Sequence, residues 1–380
     1  MMSRAHRSIV GDWWWTVDRA LLAALAVLMV SGLVFLMAGG PPVADRLGLS
    51  TFHFVGRQVL YLAPALMVLV AVSFLSLRHV RRVALAVYAV GMVLVILALH
   101  FGPEIKGAHR WISIAGIGLQ PSEFVKPAFV VVAAWAFSEG ARRNDMPGAI
   151  LAMLLLPTTI IPLIMQPDFG QTMLVTIVWC ALFFVAGLHW FWVMGLGGLG
   201  ALGVVAAHQL LPHVRDRIER FLHKIMGDAD KAVDNFQTET AMEGFARGGW
   251  LGTGPGEGIA KRRLPDAHTD FSFAVIGEEF GILVCLAVVL LFAFIVLRGL
   301  LLARRNEDTF SRLAATGLLT MFGLQAVINM AVNVHLIPAK GMTLPFISYG
   351  GSSLLSLALG MGFLVALTRR RPRAEMLERP

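Results

Sequence analysis

Cysteine is nearly absent: Cys180 and Cys285 are the only two in 380 residues, both lie inside apolar runs, and neither has metal-ligand spacing. That excludes a disulfide framework and a zinc site. Charge is scarce as well. Asp, Glu, Lys and Arg make up 15% of the chain against 57% hydrophobic residues, a balance that excludes a water-soluble globular protein of this length. No internal repeat, low-complexity tract or detached soluble domain interrupts the pattern. The formal charge of +8 does not point to nucleic acid, because the basic residues are dispersed among short turns rather than gathered in a patch.

What the chain has in abundance is apolar runs of the length that crosses a bilayer. They fall near 17–38, 54–76, 80–100, 122–138, 148–165, 171–187, 189–210, 271–298, 311–334 and 346–368, predicting an all-α polytopic membrane protein of about ten transmembrane helices in a single domain over 1–380. The basic start leads into the first run without a small-residue cleavage site and reads as an uncleaved span, with Trp13 to Trp15 suited to an interfacial belt. Arginine marks alternate turns: Arg78, Arg81 and Arg82; Arg142 and Arg143; Arg298, Arg304, Arg305 and Arg312; and Arg369 to Arg373. These turns and both termini are therefore assigned to the cytoplasm. The outer side then holds 39–53, 101–121, 166–170, 335–345 and a large loop, 211–270, between the seventh and eighth helices. In that loop Val214, Ile218, Phe221, Leu222 and Ile225 have the spacing of an amphipathic helix lying at the interface.

Every unusual motif falls on the outer side. In GGWLGTGPGEGIAKRRLPDAHTDFSFAVIGEEFG, closely spaced glycines permit tight turns and close approach to a ligand. The basic run Lys261, Arg262 and Arg263 follows, and then His268, Thr269 and Asp270 stand immediately before a span. Asp270 is either a cap for that helix or a reactive carboxylate, and the residues alone leave both open. Glu278 and Glu279 lie farther along the same apolar run, where acids are costly and face a cavity or a basic partner. In KGAHRWISIAGIGLQPSEFVKPAFV, Arg110 suits a phosphate and Trp111 a sugar face, while Glu123 and Lys126 can pair on one helical face. Asp168 in QPDFGQT is either a helix cap or a polar-cavity residue. In NVHLIPAKGMTLPFISYGGSSL, prolines and glycines break a span, which requires a protein or watery surround, and Lys340 is placed to meet an anionic headgroup. Asn235, Gln237 and Glu243 are polar groups of the kind that bond sugar hydroxyls.

Taken together, GAHRW, QPSEFVK, QPDFGQT, PDAHTDFSFAVIGEE and PAKGMTLPFISYGGSS resemble, in order and over nearly the whole chain, the shape, elongation, division and sporulation (SEDS) family of bacterial membrane glycosyltransferases. The division branch is the nearer likeness, the elongation branch the alternative. Two departures stand out: His335 after Asn333-Val334, where the family often has glycine, and Phe245 in a stretch that often contains serine.

The resemblance implies polymerisation of lipid II, the undecaprenyl-pyrophosphate-linked disaccharide-pentapeptide, into β-1,4-linked glycan strands for septal wall synthesis, with Asp270 matching the essential aspartate. Because the donor is α-linked and the product β-linked, one inverting displacement with a general base is implied. Substrate contacts are expected at Arg110, Trp111, Gln237, Lys261, Arg262, His268, Thr269, Lys340 and Ser352. Glu123, Lys126, Asp168, Glu278 and Glu279 are expected as structural or cavity polar groups. No protein metal site is expected, although a divalent cation, Mg2+ or Mn2+, is a conceivable helper for the leaving diphosphate. Implied partners are a class B penicillin-binding protein transpeptidase and the division regulators FtsQLB and FtsN, at the septum of the bacterial inner membrane. A lipid II flippase is the competing reading, since intramembrane acids and broken helices also mark transporters.

Overall fold

A computed structural model describes residues 8–105, 107–114, 116–143, 147–187, 236–337 and 341–370, with scattered positions between 194 and 215. The expected span at 189–210 and the amphipathic stretch at 214–225 lie largely outside the described residues, as do Asn235 and Lys340. Among those described, eight helices are long and apolar enough to cross a membrane. They are α2 (Arg19–Arg46), α3 (His53–Ser73), α4 (Leu77–Phe101), α5 (Pro121–Arg142), α6 (Gly148–Met165), α10 (Ser272–Arg304), α11 (Thr309–Asn333) and α12 (Gly351–Thr368). A shorter apolar helix, α7 (Phe169–Val185), stands beside them, and α1 (Ile9–Thr16), α8 (Phe236–Gly248) and α9 (Ala260–Arg263) complete the set. The chain is thus a multi-pass helical membrane protein, the architecture in which every backbone polar group is satisfied within its own segment.

Helix starts are fixed by short polar caps that relieve the first unpaired N–H groups. Asp18 accepts from Leu21 N at 2.9 Å, and Asp308 from Ser311 N at 3.1 Å. Helix ends depart from the hydropathy reading where proline intervenes. The expected outer segment 39–53 is helical as far as Arg46, because α2 continues through Pro41 and Pro42. Pro42 has no N–H to offer the carbonyl of Ala38, one turn back. Lys261 Nζ donates to that oxygen instead, at 3.3 Å. The same remedy appears in α5, where Pro127 leaves the carbonyl of Glu123 to Ser356 Oγ at 2.8 Å. The last span begins at Gly351 and not at 346, since 345–350 is non-helical.

Contacts at the two ends agree with the arginine pattern. At one end Arg81 pairs with Glu139, Arg298 with Asp18 at 2.7 Å, and Asn306 Nδ2 donates to Leu367 O. The other end joins Arg46 to the carbonyls of Leu264 and Pro265, and Ser352 to Gln120. There, too, the 101–121 segment contains a feature the hydropathy reading did not anticipate, a small antiparallel hairpin of β1 (Ile112–Ile114) and β2 (Ile117–Leu119). The helices α5, α11 and α12 are largely buried and form the centre, while α3, α4 and α6 expose most of their surface.

Candidate active site

Asp270 stands two residues before the first residue of α10, partly exposed at the outer end of the bundle. It is not the cap of that helix. The N-cap is Phe271, without a side-chain cap bond, and the first-turn amide of Ala274 donates instead to Oδ1 of Asn333 on α11, at 2.9 Å. The carbonyl of Asp270 accepts from Asn329 Nδ2 and from Asn333 Nδ2, both at 2.9 Å. Its carboxylate approaches the 341–350 loop: a Cβ added at Gly341 would lie 3.8 Å from Asp270 Oδ2. That loop is fastened to the Asp270 segment by Tyr349 N to His268 O at 2.9 Å and Ser348 Oγ to Ser272 Oγ at 3.2 Å. The His268 ring packs against Phe54 and Tyr349, with centroids 4.3 Å and 5.6 Å away. Burial pushes the Tyr349 phenol above its ordinary value.

Behind Asp270, α10 is broken at Gly281, whose φ of 81° and ψ of 175° are not helical. A break inside a span frees backbone groups that lipid cannot satisfy. The glycine-rich segment supplies partners: Thr253 N and Gly254 N donate to the carbonyls of Glu278 and Glu279 at 2.9 and 3.1 Å, and Ile282 N donates to Gly249 O at 2.9 Å. A Cβ at Gly248, Gly252 or Gly281 would collide with the facing backbone carbonyls. These three glycines therefore allow close approach within the protein's own broken helix and the segment packed on it.

The two acids just before the break, Glu278 and Glu279, complete the clasp. Glu278 accepts from the N–H groups of Ile259, Ala260 and Lys261, and Glu279 from Gly256 N at 2.9 Å while also pairing with the Lys261 ammonium.

A second polar cluster lies among α5, α7 and α11. Lys126, 2% exposed, meets Glu123 at 3.0 Å, and Gln171 Nε2 donates to Glu123 at 2.7 Å. Gln325, 3.5 Å from Lys126 Nζ, donates to Thr343 O at 3.1 Å and so connects the cluster to the 341–350 loop. Asp168 caps α7 by accepting from Gln171 N. Burial raises the Asp168 carboxyl above its ordinary range, against the lowering effect of Arg110.

The chain matches, over residues 18–372, the family model described as the FtsW, RodA and SpoVE cell cycle proteins. It belongs to this family. It is 44% identical, over 98% of its length and 94% of the relative's, to the probable peptidoglycan glycosyltransferase FtsW of Caulobacter vibrioides (strain NA1000 / CB15N). To the protein of the same name from Hydrogenovibrio crunogenus (strain DSM 25203 / XCL-2) it is 33% identical, covering 92% and 91%. Among solved structures it resembles a chain from work on the structural coordination of polymerization and crosslinking by a peptidoglycan synthase complex, with a TM-score of 0.76, 27% identity and coverage of 93% and 97%. Thermus thermophilus RodA matches with a TM-score of 0.68 at 27% identity, over the same shares.

Within this SEDS-family scaffold, the expected substrate residues divide. His268, Thr269 and Arg262 lie on the segment that leads to Asp270, with Arg262 exposed beside a cleft of about 430 Å³ that Met37, Pro41, Asp45 and Lys261 also line. Lys261 is spent on Glu279 and Ala38, and Arg263 on Glu243. The Arg110 guanidinium holds the carbonyls of Gln166 (2.9 Å) and Pro167, bracing the turn before α7. Trp111 lies over Gly118 of the hairpin. Ser352, expected at the substrate, is buried between the hairpin and α5, accepting from Gln120 N at 3.1 Å. Gln237 is half-buried in α8. Sequence reasoning passed over Asn329 altogether and noted Asn333 only as the start of a motif. Two buried amides one turn apart on a span were the available signal.

Proposed function

We propose that this chain is a peptidoglycan glycosyltransferase that polymerises lipid II in the division septum of the inner membrane, with Asp270 as general base. The observation that carries the reading is the placement of a carboxylate at the outer end of the bundle, not used as a cap, with its backbone fixed by two buried amides. The family membership and the printed names of the relatives supply the reaction class.

In the proposed step Asp270 takes the proton from the acceptor sugar hydroxyl. The resulting oxygen attacks the donor's anomeric carbon from the face opposite the pyrophosphate. The new C–O bond forms as the bond to the phosphate oxygen breaks, and the electron pair departs with undecaprenyl pyrophosphate, inverting the centre. Positive charge is needed where the diphosphate leaves. Arg262, exposed on the cleft, is the proposed source of it, since Lys261 and Arg110 are engaged elsewhere. Among the described residues no group of three or more His, Cys, Asp and Glu side chains gathers to hold a metal ion. A wholly apolar groove of about 350 Å³ between α4 and the start of α5, lined by Val87, Val90, Leu94, Leu119 and Phe124, suits a hydrocarbon tail. A class B penicillin-binding protein is the proposed partner, in keeping with the synthase complex among the structural relatives.

Purified protein, alone and with its transpeptidase, given labelled lipid II, tests the reading. Wild type is expected to make glycan strands and Asp270→Ala none. Equal product from both would end the proposal, and lipid II translocation by a protein that makes no strands would favour the flippase reading instead.

A further inference from the structure

Two amides in the middle of a helical bundle are expensive unless every polar atom is used. Asn329 and Asn333, one turn apart on α11, are both buried, and both are used on the segment that carries Asp270. Asn329 Nδ2 donates to the carbonyls of Asp270 (2.9 Å) and Met342 (2.6 Å). Asn333 Nδ2 donates to Asp270 O at 2.9 Å, while its Oδ1 accepts from Ala274 N at 2.9 Å. One carbonyl thus receives two donors from a neighbouring helix, and the loop bearing Gly341, next to the Asp270 carboxylate, is tied to the same amide.

We infer that Asn329 and Asn333 are positioning residues for the transfer: they fix the backbone of Asp270 and the Met342 loop relative to one another, so that the carboxylate faces the acceptor at proton-transfer distance. The inference rests on Asp270 being the base. A base acts only within hydrogen-bond reach of its proton, and a misplacement of about 1 Å costs on the order of a hundred-fold in rate. With its carbonyl released, Asp270 can turn about its own backbone, and the carboxylate moves with it. Helix capping alone would need only Oδ1 of Asn333; it would not need two donors on the Asp270 carbonyl.

The variants Asn333→Asp and Asn329→Leu separate these roles. Asn333→Asp keeps an acceptor for Ala274 N and loses the donor to Asp270. Asn329→Leu preserves size without charge. Each is purified with the partner transpeptidase and measured for melting temperature, and for polymerisation rate against lipid II concentration across pH. The expected result is a protein still folded at the assay temperature, its melting temperature lowered only by the lost hydrogen bonds, and an unchanged apparent KM, with kcat per folded protein lowered by on the order of a hundred-fold at every pH. Wild-type kcat in both variants overturns the inference. So does a loss that follows the fraction of unfolded protein, or one that Asn333→Asp recovers at high pH, which would mean only that the new charge hinders ionisation of Asp270. Asp270→Asn in the same assay tests the underlying reading. If it remains active, the base assignment fails; if it is inactive while both amide variants keep wild-type kcat, only the positioning role fails.

Discussion

Lys261 illustrates how a residue chosen for its charge can be occupied by structure. Its ammonium is buried against Glu279 and also reaches the carbonyls of Ala38 and Gly256. Breaking a buried pair from one side leaves an uncompensated charge and costs about 3–5 kcal/mol, whereas replacing both members by apolar or neutral groups is often nearly neutral. Lys261→Met and Glu279→Gln are each expected to lower the melting temperature of the purified protein sharply, and the double variant to regain most of the loss. A double variant as unstable as the sum of the singles would mean the two residues act independently. Asp270 stands out in the sequence because its type, its membrane boundary and its motif coincide. Asn329 does not, since its partners lie 59 residues back, at Asp270, and 13 ahead, at Met342. Nothing local in an apolar span announces such contacts. Arg110 was ambiguous for the opposite reason: a guanidinium fits phosphate and backbone carbonyl alike, and the fold gives it the carbonyls of Gln166 and Pro167.

At the scale of elements, the break at Gly281 and the glycine-rich segment form one unit. The hydropathy pattern reads 271–298 as one continuous span, because hydropathy does not register a single residue with positive φ. From the break to Arg304 the helix covers about 34 Å, enough alone to cross a hydrocarbon core of about 30 Å. The nine-residue half-helix before it is thereby left at the outer face beneath Asp270. Its exposed carbonyls are served by the 249–254 backbone, which must come very near. Gly252→Ala would drive a methyl into the Glu279 carbonyl, and Gly281→Ala would do the same at Trp250. Each is expected to destabilise by more than about 3 kcal/mol, the combined cost of an unfavourable φ and a displaced backbone contact. Gly249→Ala is the internal control, with φ of 55° but nothing within 4 Å of the added Cβ, and is expected to cost only about 1–2 kcal/mol. Thermal unfolding of the three variants checks the order. Equal losses would mean that left-handed backbone alone, and not close approach, explains the glycines.

For the whole molecule, the alternation of arginine-bearing turns was legible because it records insertion, which acts on sequence before tertiary contacts exist. The contacts then group the same turns: Arg298 with Asp18 at one end, Arg46 with Leu264 at the other. The ends of individual spans were less legible, since Pro41 and Pro42 signal a stop that Lys261, more than 200 residues later, cancels. The proposed chemistry depends on the direction of this arrangement, because a base facing the cytoplasm would never meet a sugar in the outer leaflet. Among the described elements, α10 is the one helix between the exposed residues Glu257 and Glu307 that is long and apolar enough to cross a membrane. With Cys180 and Cys285 replaced by alanine, Glu257→Cys is expected to react with a membrane-impermeant maleimide in right-side-out vesicles, and Glu307→Cys only in inverted ones. Both reacting from one side would mean that the broken helix does not cross. The reverse pattern would place Asp270 in the cytoplasm and end its assignment to the outer leaflet, whatever its activity in detergent.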